Sequence, residues 1–313
     1  MAGKTAVPNG GPNDRSVLQG LYLFPGIVGN LFYVHHSGGS TGPGLVPENA
    51  YSTIDAAIGA CTANNGDVII VLPGHAETIT GAAAIALDVA GITIIGLGNG
   101  SNRPTITYGT NTTATSVISA ANITIRNLRF LSNVDSLAVF LTVSENGATI
   151  EDCDFVGAST KEVLNAIGIT TTFDDTTIRR CRFIQGTDPT GTNAAAGTGA
   201  IYLVDSENVL IEDCEFRGNW ETAFIHNKTT GAANLWVRRC RGICSLADAQ
   251  PFLLVSTATG GVEDSSFITP AETQVTEATL SGTFGAGYFN FRTYYGNDGG
   301  GGQLAVAGQA VAS

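Results

Sequence analysis

A chain of 313 residues with 43% apolar content can fill one large core or two ordinary ones, and its 40 glycines, single methionine and 13% charged residues favour turn-rich β structure over long helices. A net charge of -12 repels phosphate backbones and anionic membrane surfaces, which argues against nucleic acid and membrane as partners.

Residues 1–31 mix Pro, Gly and Asn with Val17, Leu18, Leu21, Tyr22, Leu23, Phe24, Ile27 and Val28. The run from Leu21 to Val28 is interrupted by Pro25 and Gly26, too short and broken for a signal peptide or a membrane span, so manufacture and use without Sec export are expected. Such a segment folds poorly alone but docks well in extended form, which makes Val17, Leu18, Leu21, Tyr22, Phe24, Ile27 and Val28 the candidate partner-binding residues. The body of the protein spans 32–295. Its first element, YSTIDAAIGAC over 51–61, places Ile54, Ala57, Ile58 and Cys61 at helical spacing, with Ser52 as the expected cap. A short helix there would close one open end of the body.

The body is built from a repeat. ITIRNLRF (123–130), ATIEDCDF (148–155), TTIRRCRF (176–183), VLIEDCEF (209–216), LWVRRCRG (235–242) and GVEDSSF (261–267) share one template, with Ile125, Ile150, Ile178, Ile211, Val237 and Val262 as markers 25, 28, 33, 26 and 25 residues apart. Ile94 and Ile70 extend the frame upstream, giving eight turns. One short alternating strand per mid-twenties period marks a solenoid. The fold class expected is all-β, a right-handed single-stranded parallel β-helix with a short N-terminal capping α-helix and extended terminal arms, about 38 Å long at 4.8 Å per turn.

Stacking turns the template into ladders. Cys153, Cys181, Cys214 and Cys240 fall in one buried row, with Leu128 and Ser265 at its ends and Cys61 and Cys244 outside it. Small buried side chains explain that row better than disulfides or a metal, since no histidine shares it. The charges alternate in sign from turn to turn: Arg126, Glu151, Arg179, Glu212, Arg238 and Glu263 head successive triplets or pairs of one sign. Each arginine would lie between carboxylates above and below, and a slip of one turn would set like charges together. The arginines are therefore read as structural. The residue before each marker points outward and runs Thr93, Thr124, Thr149, Thr177, Leu210, Trp236, so Leu210 and Trp236 form a small apolar patch suited to a subunit contact, with Trp220 expected near it. Tyr288, Phe289, Phe291, Tyr294 and Tyr295 gather where the far end needs a cover, and 296–313 is a Gly-rich tail.

The block FYVHHSGGSTG, then YSTIDAAIGACTANNGDVIIVLPGHAETIT, then the repeats, resembles pectate-lyase-like right-handed β-helix proteins, in particular those that tailed bacteriophages carry as virion proteins, over about Leu31 to Phe267. The resemblance implies a fold that hosts lyases, hydrolases, tailspikes and inert structural proteins. Polygalacturonase-like members use an NTD motif, a DD pair, a GHG and an RIK, of which only Asp174 and Asp175 have counterparts; His75 sits in GHA, His226 in FIHN stands alone, and Asp205 and Glu207 have no support. The expectation is a non-enzymatic virion protein, assembled in the host cytoplasm, without cofactor or metal. It would be a capsid decoration or cement protein whose arms bind the major capsid protein or other virion proteins, and a homotrimer as phage relatives often are. The alternative is a tailspike-type polysaccharide depolymerase or glycan-binding adhesin.

Overall fold

A computed structural model describes residues 29–37, 44–157, 160–170, 175–186, 197–227, 232–244, 250–254, 258–268, 288–291, 294–297 and 300–303. The chain coils through three parallel sheets, here A, B and C, in that order within each turn. Seven turns contribute a strand to all three, from Val68–Val71, Ala76–Ile79 and Ile85–Leu87 to Leu235–Arg238, Arg241–Ile243 and Gln250–Leu253. Beyond them sheets A and B continue through Gly260–Glu263 and Ser266–Ile268, and sheet B ends on an antiparallel strand, Gly300–Gln303.

Alternation along each short strand decides what is inside. In sheet A the register stacks Ile94, Ile125, Ile150, Ile178, Ile211, Val237 and Val262, all buried in the main core. Below Ile94 stands Ile69, not Ile70: the pairing is Ile69 with Ile94 and Ile70 with Ile95, so the expected frame is one residue out at this turn and Ile70 faces away from the core. DVIIVLPG is apolar on both faces, and alternation gives no register there. Phe130, Phe155, Phe183 and Phe216 make the ladder of sheet B, with neighbouring rings 4.7, 5.1 and 5.0 Å apart and within 9° of parallel.

Two columns of left-handed backbone bend each turn. Three residues before the sheet A marker lie Gly66, Gly91, Asn122, Gly147, Asp175, Asn208 and Asn234, and two residues after it lie Asn127, Asp152, Arg180, Asp213, Arg239 and Asp264, all with positive φ. Gly, Asn and Asp tolerate that region best, and the sequence supplies them everywhere but at the two arginines.

The first turn is closed against edge pairing. The α-helix is shorter than expected, Ile54–Ile58, and Thr53 rather than Ser52 caps it, its Oγ1 accepting from the Ala56 N–H at 3.2 Å. Ile54, Ala57 and Ile58 plug the core, while the Asp55 carboxylate accepts from the Ala86 N–H of the first sheet C strand at 3.0 Å and Glu77 accepts from the Ile54 N–H at 3.0 Å. The outer edge of Leu31–Val34 is taken by 44–51: the Tyr33 N–H donates to Gly44 O at 2.7 Å and the Tyr51 N–H to Tyr33 O at 2.8 Å.

Candidate functional site

The densest array of chemistry-bearing groups is the bend between sheets A and B. Strand register sets Arg126, Glu151, Arg179, Glu212, Arg238 and Glu263 side by side in one column, and Arg129, Asp154, Arg182, Glu215 and Arg241 in a second across the bend. Between them runs the left-handed column, Asn127 to Asp264. Ion pairs run along the columns and between them and the left-handed column. Arg179 Nε lies 2.6 Å from Glu151, Arg126 Nε 3.1 Å from Asp152, Arg182 Nη2 2.6 Å from Asp154, Arg238 Nε 3.1 Å from Glu263, and Arg241 Nη2 3.3 Å from Glu215. Arg180 donates from Nε and Nη2 to the two oxygens of Asp152 at 2.8 and 3.1 Å and from Nη2 to Glu151 at 2.7 Å; Arg239 repeats the arrangement on Asp213 and Glu212. Two further arginines that the repeat template does not contain join in, Arg103 on Asp154 at 2.7 Å and Arg217 on Glu215.

The electrostatics reflect this pairing. Hydrogen bonds from Arg180 hold the Asp152 carboxyl below the usual range, and those from Arg239 do the same for Asp213. The guanidiniums of Arg180, Arg182 and Arg239 are correspondingly raised by their carboxylate partners. A carboxylate held ionised by a fixed guanidinium is a poor general acid or base near neutral pH.

Behind the bend the four thiols of Cys153, Cys181, Cys214 and Cys240 form the buried row, all unpaired by disulfides. They are more than small filler. Each Sγ donates to the carbonyl two residues back, on Glu151, Arg179, Glu212 and Arg238, at 3.2 to 3.4 Å, and Ser265 makes the same bond to Glu263 O at 2.8 Å. The same carbonyls accept the backbone N–H of the left-handed residue one turn earlier, as Glu151 O does from Asn127 at 3.1 Å, so the buried thiol is a second, weak donor to a carbonyl already in the ladder. Burial pushes the Cys153, Cys181 and Cys214 thiols well up and Cys61 to about 12, which removes them as nucleophiles.

The remaining titratable candidates are dispersed. His226 is buried on sheet C, its Nε2 2.9 Å from Asn165 Oδ1 and its ring stacked on Tyr202 at 4.8 Å. Asp175 occupies a left-handed turn position, as does Asp205, while Glu207 bridges to Ala233; Asp174 lies outside the described residues. His75 is buried with Nε2 3.2 Å from Glu77. Among the described residues no group of three His, Cys, Asp or Glu side chains could hold a metal ion, and no helix is long and apolar enough to cross a membrane.

Of the surface candidates, Leu210 and Trp236 are register neighbours, both half-buried. Trp236 donates from Nε1 to Asn234 Oδ1 at 2.7 Å and lies under the Arg238 guanidinium, 4.8 Å from its ring centre. Trp220, expected to lie near that patch, is instead wholly buried in the core, its Nε1 donating to Arg217 O at 3.2 Å. More exposed than either are Ile243 and Ile268, 53% and 51% accessible and adjacent on the outside of sheet B. Their signal was present in the template as the apolar residue after the Phe position, but a single outward aliphatic per turn does not stand out in a chain this apolar. Val17, Leu18, Leu21, Tyr22, Phe24, Ile27 and Val28 lie outside the described residues.

The family described as "Right handed beta helix region" matches residues 69–241. Among solved structures, a rhamnogalacturonan lyase superposes with a TM-score of 0.52 at 11% identity over 77% of this chain and 74% of its own, and pectate lyase Pel9A with 0.52 at 13% identity over 84% and 78%. A pectin methylesterase from carrot gives 0.52 at 15% identity over 91% and 87%. At such identities the likeness is one of fold. No curated protein sequence matches the chain.

Proposed function

The chain belongs to the right-handed β-helix family, and from that premise we propose that it is a non-enzymatic structural protein of a bacteriophage virion, a capsid decoration or cement protein that holds the shell through its terminal arms. The observation that carries the structural reading is the ion-pair ladder, in which the body's main set of acids and bases is committed to neighbouring turns at 2.6 to 3.3 Å. Groups spent in this way hold a rod together. The virion assignment is supported by the likeness of FYVHHSGGSTG and the block after it to phage β-helix proteins, and by an apolar arm joined to a rigid body. In this reading the major capsid protein or another virion protein is the partner, and the particle, assembled in the host cytoplasm, is the location. Neither nucleic acid nor membrane is engaged. Three copies would associate side by side through Leu210 and Trp236, with Ile243 and Ile268 on the adjoining face.

Deletion of residues 1–30 is the test. The remaining body should stay soluble and β-rich by circular dichroism but no longer co-sediment with particles; undiminished co-sedimentation rules out docking through the arm. A second reading, a tailspike-type depolymerase or glycan-binding adhesin, is favoured by one observation, the indole of Trp236 held outward beneath Arg238 as a ring that could stack on a sugar. It predicts oligosaccharide release from a host surface polymer, lost on replacing Asp174, Asp175 or His226.

A further inference from the structure

Alternation on sheet B turns the Phe ladder inward and two columns outward. One runs Arg129, Asp154, Arg182, Glu215, Arg241, and beside it runs Leu131, Val156, Ile184, Arg217, Ile243, Ile268. The signs alternate along the first column, but the two signs are not equally presented. The Asp154 and Glu215 side chains are only 8% and 12% accessible, whereas those of their partners Arg182, Arg217 and Arg241 are 52%, 58% and 69% accessible. Arg103 also closes on Asp154, and the buried Nε of Arg129 has no hydrogen-bond partner. Five arginines thus meet two covered carboxylates. In a chain whose net charge is -12, this face presents guanidiniums.

Each guanidinium carries five N–H donors in a planar fork, and the pairs with Glu215 engage Nε of Arg217 and Nη2 of Arg241. The donors left over suit a second carboxylate. Beside them stand the exposed Ile243 and Ile268, and a groove of about 160 Å³ between Arg217, Arg241, Ile243 and Ile268 joins the charged and apolar parts. A second groove, about 350 Å³, continues from Glu215 and Arg241 to Arg180 and Arg182. Charge complementarity selects an acidic partner. The isoleucines select a protein, since neither a sugar polymer nor a nucleic acid offers aliphatic side chains to bury against them. At physiological salt the Debye length is about 8 Å, so groups in contact decide and acidic surface elsewhere on the chain is largely screened. Arg182 and Arg241 stand two layers apart, about 9.6 Å, which is close to the three-residue repeat of an extended polyproline-type chain, about 9.3 Å.

We propose that the outer face of sheet B from Arg182 to Ile268 binds an acidic segment of another protein, laid along the rod in extended form with a carboxylate at every third residue and apolar side chains over Ile243 and Ile268. The buried acids hold the arginines in place from beneath, so the face is ordered before the partner arrives and little side-chain freedom is lost on binding. This inference rests neither on the virion reading nor on the contact through Leu210 and Trp236. Loss of particle binding on deleting 1–30 and loss of binding at sheet B are therefore separate results.

Fluorescence anisotropy of a labelled peptide repeating Glu-Leu-Ser, titrated with the full chain at physiological salt, tests it. Binding should saturate, and should be about tenfold weaker for a Lys-Leu-Ser repeat and for the chain carrying Arg241→Gln and Ile243→Ser, both exposed positions, with an unchanged circular dichroism spectrum. Equal affinities in either comparison, or no binding to wild type at millimolar peptide, overturn the proposal. Displacement of the peptide by polygalacturonate at lower concentration than by unlabelled peptide would assign the face to a glycan, and self-association of wild type that the double variant abolishes would assign it to a second copy; each is equally fatal. Should the double variant not fold, Ile268→Glu alone should weaken peptide binding several-fold, and unchanged affinity there sinks the idea.

Discussion

Arg180 and Arg239 sit in left-handed backbone, φ 52° and 49°, where the equivalent residues of neighbouring turns are Asn127, Asp152, Asp213 and Asp264. A residue with a Cβ and no local hydrogen bond to offer loses about 1 kcal/mol there. An exposed ion pair returns about 0.2 to 1 kcal/mol, so one pair does not offset the strain. Three charge-assisted bonds to two carboxylates do better, and the bidentate grip on Asp152 needs the planar guanidinium. Replacing Arg180 by Gln keeps the backbone penalty and removes the charge, while Arg180→Glu, the same size as the Gln variant, adds an acid beside Asp152 and Asp213. We expect the Glu variant to be less stable than the Gln variant by about 1 to 2 kcal/mol, a difference that belongs to charge alone. Thermal melts of the two in low salt measure it. Coincident melts would show that the alternation in sign contributes nothing to stacking.

Among the elements, the sheet B ladder shows how a gap in a repeat is made good. The Phe stack stops at Gly242, where the template otherwise has a ring, yet Phe216 and Phe267 on either side remain buried. Phe224 comes from sheet C into the space, 5.4 Å from Phe216 and 5.8 Å from Phe267. A Cβ on Gly242 would stand 2.5 Å from the Phe224 ring and 2.7 Å from Phe267, so this glycine is required by close approach. Gly242→Ala should cost about 1 to 3 kcal/mol from overpacking. Phe224→Ala alone should cost about 3 to 5 kcal/mol by opening a cavity. If the two positions share one volume, Gly242→Phe combined with Phe224→Ala will melt well above the Phe224→Ala single variant. Additive losses in denaturant unfolding would mean that the ring of Phe224 and the absent ring of residue 242 do not compete.

At the scale of the whole molecule, strict periodicity governs both what could be read and what could not. Ile125, Ile150, Ile178 and Ile211 are legible because each turn gives its marker the same surroundings, and the sign pattern of the arginines is legible for the same reason. The frame fails at Ile70, where an outward face is also buried, and it misses Arg103, Arg217 and Phe224, which reach the ladders from outside the template. Gly66, Gly91 and Asn122 three residues before the marker were as regular as the isoleucines, but a turn residue signals its conformation only once the strand beside it is placed.

The same periodicity makes acid stability a property of the entire ladder. Asp152 and Asp213 are held below their ordinary range in the fold by Arg180 and Arg239. A depressed carboxyl stabilises the fold fully above its unfolded pKa of about 4 and loses that contribution as pH falls through its lower folded value. Melting temperature should therefore stay level from about pH 7 to 5 and fall below about pH 4. Partial exposure of both groups means that salt should reduce this contribution at neutral pH. Removing the principal cause should flatten the response, so Arg180→Gln is expected to lose less stability between pH 5 and pH 3 than wild type. Parallel acid profiles for the two proteins would place the acid-sensitive carboxylates somewhere other than beside Arg180.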